Sequence, residues 1–281
     1  MQRGFTLVEI LVVLIILAVV ITMAAAVTRG IAASQQQTLT VTRLATVDAA
    51  IVQFVAAQKR MPCPADGTLQ SSDNNAGLEA AGCNQTNGVV PWRSLGLTEQ
   101  DATDGWYRRF TFRTDPQLVV AGGMDMSFCD PVGGAVAVAG ACNTGCASSS
   151  LGSCTPPVNF LRGKGLEVHA LPSAGAPNGV VVMDPAASPS IANPTGAAYV
   201  TISAGATGGG GYLNSGQLAV SSASDSAPEL LNYASNSIQL SSAGAYYVDD
   251  SISTNPHFDD LISRPSVYTV ISKAALGPRS H

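Results

Sequence analysis

One acid interrupts an otherwise apolar stretch near the start of the chain: Glu9, inside the run from Phe5 to Thr28. A carboxylate at the centre of a membrane helix costs roughly 2.5–3.5 kcal/mol on insertion scales, and such acids pair with a partner. The nearest base, Arg3, lies outside the run. A second chemically loaded stretch is "YYVDDSISTNPHFDDLISRPS", residues 246–266. Its Asp249, Asp250, Asp259 and Asp260 can supply the hard oxygen ligands that Ca2+ takes, with backbone carbonyls completing the shell. The spacing is not that of an EF-hand, and the competing reading is a solvated acidic loop whose aspartates cap turns.

The six cysteines, Cys63, Cys83, Cys129, Cys142, Cys146 and Cys154, all follow the apolar run. None is spaced C-x-x-C, and His169, His257 and His281 are scattered, so zinc has little support. An even count beyond an N-terminal membrane signal favours disulfides in an oxidising compartment such as a bacterial periplasm. Cys63 can bridge to Cys83 and close the loop between them, worth about 2–4 kcal/mol. If the other four pair among themselves, their connectivity stays open.

Other chemistries find no support. There is no G-x-S-x-G, no H-E-x-x-H and no nucleotide fingerprint, so no enzyme is expected. "GATGGGGY" (205–212) lacks the Lys-Ser/Thr ending of a phosphate loop and reads as a turn. Net charge is -5 and 12% of residues are charged. Arg108, Arg109 and Arg113 form the densest basic spot, too little to neutralise phosphates, so no nucleic acid is expected as a partner.

The elements that carry these residues follow from periodicity. No proline occurs between Phe5 and Arg60, and Gly30 is the one internal glycine. One helix is expected from about Phe5 to about Lys59, roughly 80 Å at 1.5 Å per residue. Its first part, Phe5 to Thr28, is long enough to span a bilayer, and Arg3 favours a cytoplasmic N-terminus. Beyond Gly30, Val41, Leu44, Val47, Ile51, Phe54 and Val55 form an apolar stripe. Thr42, Thr46, Gln53 and Arg60 lie opposite, and Arg43, Asp48 and Lys59 fall on the flanks, where their charges can reach water. Pro62 and Pro64 end the helix.

In the remainder, Arg109 to Arg113 alternates like a half-buried strand. Residues 179–184, 197–205 and 267–272 are strand candidates rich in branched side chains. Trp92 and Trp106 read as core or helix-packing residues. Residues 121–160, rich in Gly, Ala and Ser, read as a disulfide-stapled insertion.

The hexapeptide Gly4-Phe5-Thr6-Leu7-Val8-Glu9, followed by an apolar helix, resembles the class III signal of type IV pilins and type II secretion pseudopilins. The shared combination is a short basic leader, Gly, Phe, and Glu as the fifth residue of the new chain. The resemblance implies cleavage between Gly4 and Phe5 by a prepilin peptidase, and N-methylation of Phe5 by the same enzyme. It covers residues 1–30 strongly and the rest loosely. "DGWYRRFTFR" (104–113) is similar to the Asp-Pro-Trp-Gly and strand segment of major pseudopilin heads, with Gly105 in place of the proline and Tyr107 in place of the glycine. The C-terminal acidic loop loosely resembles the one where calcium binds in those heads.

The reading that results is an α+β, pilin-like protein: a long N-terminal α-helix packed on an antiparallel β-sheet head with long disulfide-stapled loops. Its parts are a leader (1–4), a transmembrane or filament-core helix (5–28), the amphipathic continuation of that helix (29–60) and a periplasmic head (61–281). Cleavage removes Arg3 and creates an amine at Phe5, which Glu9 of another subunit can reach in a filament. Such a pair is satisfied in one axial register only, as a buried polar residue sets register in coiled coils.

The implied partners are the prepilin peptidase, other pilin or pseudopilin subunits, an inner-membrane assembly platform and membrane lipid. The implied location is the bacterial inner membrane, single-pass, with a cell-surface filament as a further destination. A minor pilin and a secretion pseudopilin both fit, and the large head favours a minor or tip role. The alternative is a membrane-anchored periplasmic binding protein or enzyme outside any filament.

Overall fold

A computed structural model describes residues 7–83, 88–126, 160–161, 163–171, 179–185, 196–220, 227–233, 246–249 and 258–277. Of residues 24–30 only the helical backbone is described. Helix α1 runs unbroken from Leu7 to Gln58, 52 residues and about 78 Å at 1.5 Å per residue. Without proline, every backbone N–H beyond the first turn can find its i−4 carbonyl, and the backbone stays helical through Gly30. The helix closes at Lys59, whose N–H still donates to Val55 O at 2.8 Å while its own φ turns to 57°. A left-handed residue after the last turn is the usual way to satisfy terminal carbonyls.

The two halves of α1 differ in cover. From Leu7 to Met23 the large apolar side chains are 47–80% exposed. From Thr40 onward, Thr40, Leu44, Val47, Ile51 and Val55 are buried. Their steps of three and four keep one face at 100° per residue. The expected stripe is corrected at two points: Val41 is 53% exposed and Phe54 is only half-buried. Each lies one residue off the buried face, whose line is instead completed by Thr40 and Ala50.

The head is built on a five-stranded antiparallel sheet in the order β1 (Ala65–Asp66), β2 (Gly88–Val89), β4 (Thr111–Thr114), β7 (Tyr199–Ser203), β10 (Leu261–Ser263). Strands β3 (Arg108–Arg109) and β8 (Tyr212–Leu213) form a separate antiparallel pair. Alternation along β7 sends side chains to both faces. Tyr199 stands 5.6 Å from the Phe112 ring and belongs to the core beneath α1. Val200 and Ile202 join a second core with Leu166, Val168, Met183 and Tyr247. That core lies under a three-stranded sheet, β6 (Val181–Met183), β5 (Val168–His169) and β9 (Tyr247–Val248), in which β5 and β9 pair in parallel. The five-stranded sheet is therefore covered on both sides, and the fold is α+β.

Two sequence expectations change. Residues 267–272 are not a strand. Val267–Lys273 is a helix, numbered α4 after the short helices α2 (Pro116–Val119) and α3 (Ala227–Asn232). Ser266 caps it by accepting from Thr269 N at 3.1 Å, and Val267, Val270 and Ile271 turn inward onto α1. The segment from Arg109 to Arg113 is not half-buried, because its arginines are as covered as Phe110 and Phe112. Arg109 is 2% exposed. It donates to Glu99 and to the carbonyls of Gly67, Leu69 and Asn214, and lies 4.9 Å over the Trp92 ring. A guanidinium tolerates burial when its planar donors meet acceptors, so Arg109 ties loops together, and Arg113 donates to the Gly88 and Phe112 carbonyls of β2 and β4, rather than forming a basic surface.

A disulfide joins Cys63 to Cys83. It closes a loop that is also held by Arg60, which forks onto both Glu79 oxygens at 2.7 and 3.0 Å.

Candidate functional site

The first candidate surface is the apolar half of α1. Glu9 lies exposed among Val8, Ile10 and Val12. By length and composition Ile31–Gln58 is apolar enough to cross a membrane, with a mean hydropathy of 1.4, and Leu7–Met23 is a shorter apolar stretch. It is committed elsewhere, because its buried face and two of its charged residues belong to the helix–head junction. Among the described residues, only the stretch Leu7–Met23 presents apolar side chains on every face, and neither water nor the head can satisfy them.

The junction is a polar seam. Of the three flanking charges expected to reach water, Arg43 and Asp48 turn inward, whereas Lys59 stays exposed. Arg43 Nη1 donates to Thr103 O at 2.9 Å and to Asp104 O at 3.0 Å. Asp48 accepts from Tyr199 Oη and from Ser263 Oγ, both at 2.7 Å. Lys59, half exposed, pairs with the buried Asp125 at 2.7 Å. Burial pushes the Asp48 carboxyl above its ordinary value, opposed by its two hydroxyl donors and by Lys273. Burial and the neighbouring Asp48 together raise Tyr199 well above its usual range.

Below this, the loop 104–107 clamps the head to α1. Thr40 Oγ1 accepts from Gly105 N at 2.9 Å. A Cβ on Gly105 would stand 2.3 Å from the Gln36 carbonyl oxygen, so only glycine fits. Asp104 organises the loop by accepting from Trp106 N and Arg108 N at 2.8 Å and from Ser203 Oγ at 2.8 Å. Burial raises its pKa, partly offset by those donors.

The third candidate is acidic. Carboxylate oxygens of Glu229, Asp259 and Asp260 lie within 4.8 Å of one another. Helix α3 positions Glu229, which accepts from Asp259 N at 2.8 Å. Asp259 also accepts from Thr207 N and Thr207 Oγ1, both at 2.8 Å, and Asp260 from Asn232 Nδ2 at 2.9 Å. Three hard oxygens so placed can hold a divalent cation of the calcium type. Of the aspartates singled out in the sequence, Asp259 and Asp260 are brought together, whereas Asp249 pairs with Arg264 Nε. Glu229 was missed: it lies in "APELLN", about thirty positions upstream, with no local signal. Asp250, His257, Gly4, Phe5, Cys129, Cys142, Cys146 and Cys154 lie outside the described residues.

Residues 1–25 match the prokaryotic N-terminal methylation motif. No curated protein and no solved structure matches the chain. The N-terminus is thus a prepilin-type signal, the substrate form of pilins and pseudopilins, and the apolar helix that follows it fits a single-pass inner-membrane anchor.

Proposed function

We propose that this chain, beginning from its N-terminal methylation motif, is a structural subunit of a prepilin-type filament. A prepilin peptidase cuts between Gly4 and Phe5 and methylates the new amine. Phe5 to Thr28 then holds the subunit in the inner membrane and later packs in the filament core. Residues 29–60 carry the head, which stands in the periplasm. Glu9 pairs with the Phe5 amine of a neighbouring subunit and selects one axial stagger. The role is that of a minor pilin of a type IV pilus or a pseudopilin of type II secretion.

The observation that carries this reading is the all-round exposure of Leu7–Met23 beside a helix half already packed on its own head. Lipid and neighbouring helices are the two surroundings that accept such a surface. The test is mass spectrometry of the chain from its native membrane. The expected N-terminus is a methylated Phe5; an unprocessed Met1 would defeat the proposal.

A further inference from the structure

Trp106 lies on the side of the head that faces the N-terminal half of α1, and Tyr107 follows it in the same loop. The loop that bears them is pinned to α1 by Gly105 against Gln36 and Thr40, and by Arg43 on the Thr103 and Asp104 carbonyls. From that anchor Trp106 reaches back along the helix. With Ala33, Ser34 and Gln37, all of which precede Thr40, it lines a groove of about 520 Å3 that also bears Asp249, Asp259 and Asp260. Tyr107 is 80% exposed and sits at φ 68°. A non-glycine residue in that region is uncommon, and it persists only where its surroundings impose it.

Height along the helix decides what this margin meets. Ala33 follows the end of the apolar run, Thr28, by five residues, about 8 Å of rise. The headgroup layer of a bilayer extends about 5–8 Å beyond the hydrocarbon on each side. On the anchor reading, the groove and Trp106 therefore stand at the outer edge of that layer. Tilting of α1, which its length in excess of the hydrocarbon core favours, brings one side of the head lower. Trp and Tyr are the residues that settle at this level, apolar body inward and polar tip to water.

We infer that the Trp106–Tyr107 loop is a lipid-interface contact: while the subunit is anchored, its head rests on the bilayer through this loop, and the acidic groove beside α1 stays in water. The inference rests on the membrane-anchor reading above. It gives the waiting subunit a fixed attitude, because the loop is rigid on the helix that spans the bilayer. Extraction into a filament must then strip lipid from this margin.

The chain has two tryptophans, and Trp92 is only 3% exposed, so it serves as an internal reference. The full chain is reconstituted into vesicles of phosphatidylethanolamine with minor phosphatidylglycerol, carrying lipids brominated close to the glycerol. Flotation reports anchoring, and tryptophan quenching reports contact. The expected result is flotation of wild type and W106F alike, loss of the Trp106 share of emission in wild type, and little quenching in W106F. The blue emission of Trp92 in W106F confirms that the head is folded. Flotation with equal quenching in both proteins overturns the inference and leaves the anchor standing. A Trp106 change that grows with the protein-to-lipid ratio assigns the groove to a second copy of the chain, and also overturns it. Failure to float defeats the anchor reading itself, and the inference with it.

Discussion

The Tyr199 hydroxyl donates a 2.7 Å hydrogen bond to Asp48 Oδ1, joining β7 to α1 across 151 positions of sequence. Ser263 of the neighbouring strand β10 takes the other oxygen. One carboxylate thus holds the helix to two adjacent strands of the central sheet, and it does so from a position that looks solvated in the sequence.

Asp48→Ala should destabilise the head by about 1–3 kcal/mol, because two buried hydroxyls lose their acceptor. Asp48→Asn keeps one acceptor oxygen and should lose less. Urea unfolding of the detergent-solubilised chain reads both. An alanine variant as stable as wild type would mean that the seam adds nothing.

Burial raises the pKa values of Asp48 and Asp104 above the ordinary 3.8. The folded state therefore binds their protons more tightly than the unfolded chain does. Their contribution is fully present below pH 3.8 and is lost as pH rises through the raised folded values. From these two groups stability should fall with rising pH on the acidic side. In Asp48→Asn the slope should be shallower; an unchanged slope in a thermal-unfolding series contradicts the assignment to Asp48.

Gly105→Ala places a methyl 2.3 Å from the Gln36 carbonyl oxygen, which already accepts from Thr40 Oγ1 at 2.8 Å. Backbone cannot yield as a flexible side chain does, so the loop must lift. The expected cost is about 1–3 kcal/mol, typical of overpacking, with Trp106 emission moving to the red. Retained emission and stability would show the clamp to be loose.

Glu9→Ala should insert into the membrane as well as wild type, since it removes an intramembrane acid. Incorporation into filaments, read in sheared or cross-linked fractions, should be lost. Normal incorporation would remove Glu9 from register setting.

Calcium should raise the melting temperature of the folded chain, and a chelator should lower it. At a concentration about 100-fold over Kd the gain is about 2.7 kcal/mol. Glu229→Gln should abolish the shift, whereas Asp249→Asn should keep it, because Asp249 is engaged by Arg264. No shift in wild type would sink the cation reading of this cluster.

What was legible in the sequence was local. The hexapeptide around Glu9 is contiguous, and its match to the methylation motif covers residues 1–25. The long helix follows from an absence of proline and a three-four apolar period, both readable within a few turns. The bridge of Cys63 to Cys83 also falls within one loop. Strand candidates were less secure where branched residues serve either period: "VYTVIS" is apolar at spacings that fit a strand or a helix, and Ser266, a cap, tips it to α4.

The sequence by itself determined that an apolar helix with one acid begins the chain, because hydrophobic period and motif are properties of neighbours along the backbone. Only the tertiary structure decided which side of that helix is occupied. Whether Asp48 faces water depends on Tyr199 and Ser263, residues 151 and 215 positions away. Whether Asp259 and Asp260 find a third acid depends on α3 delivering Glu229. Burial, pairing and pKa arise from groups that meet through space, and a charge's partners cannot be read until the chain has brought them together.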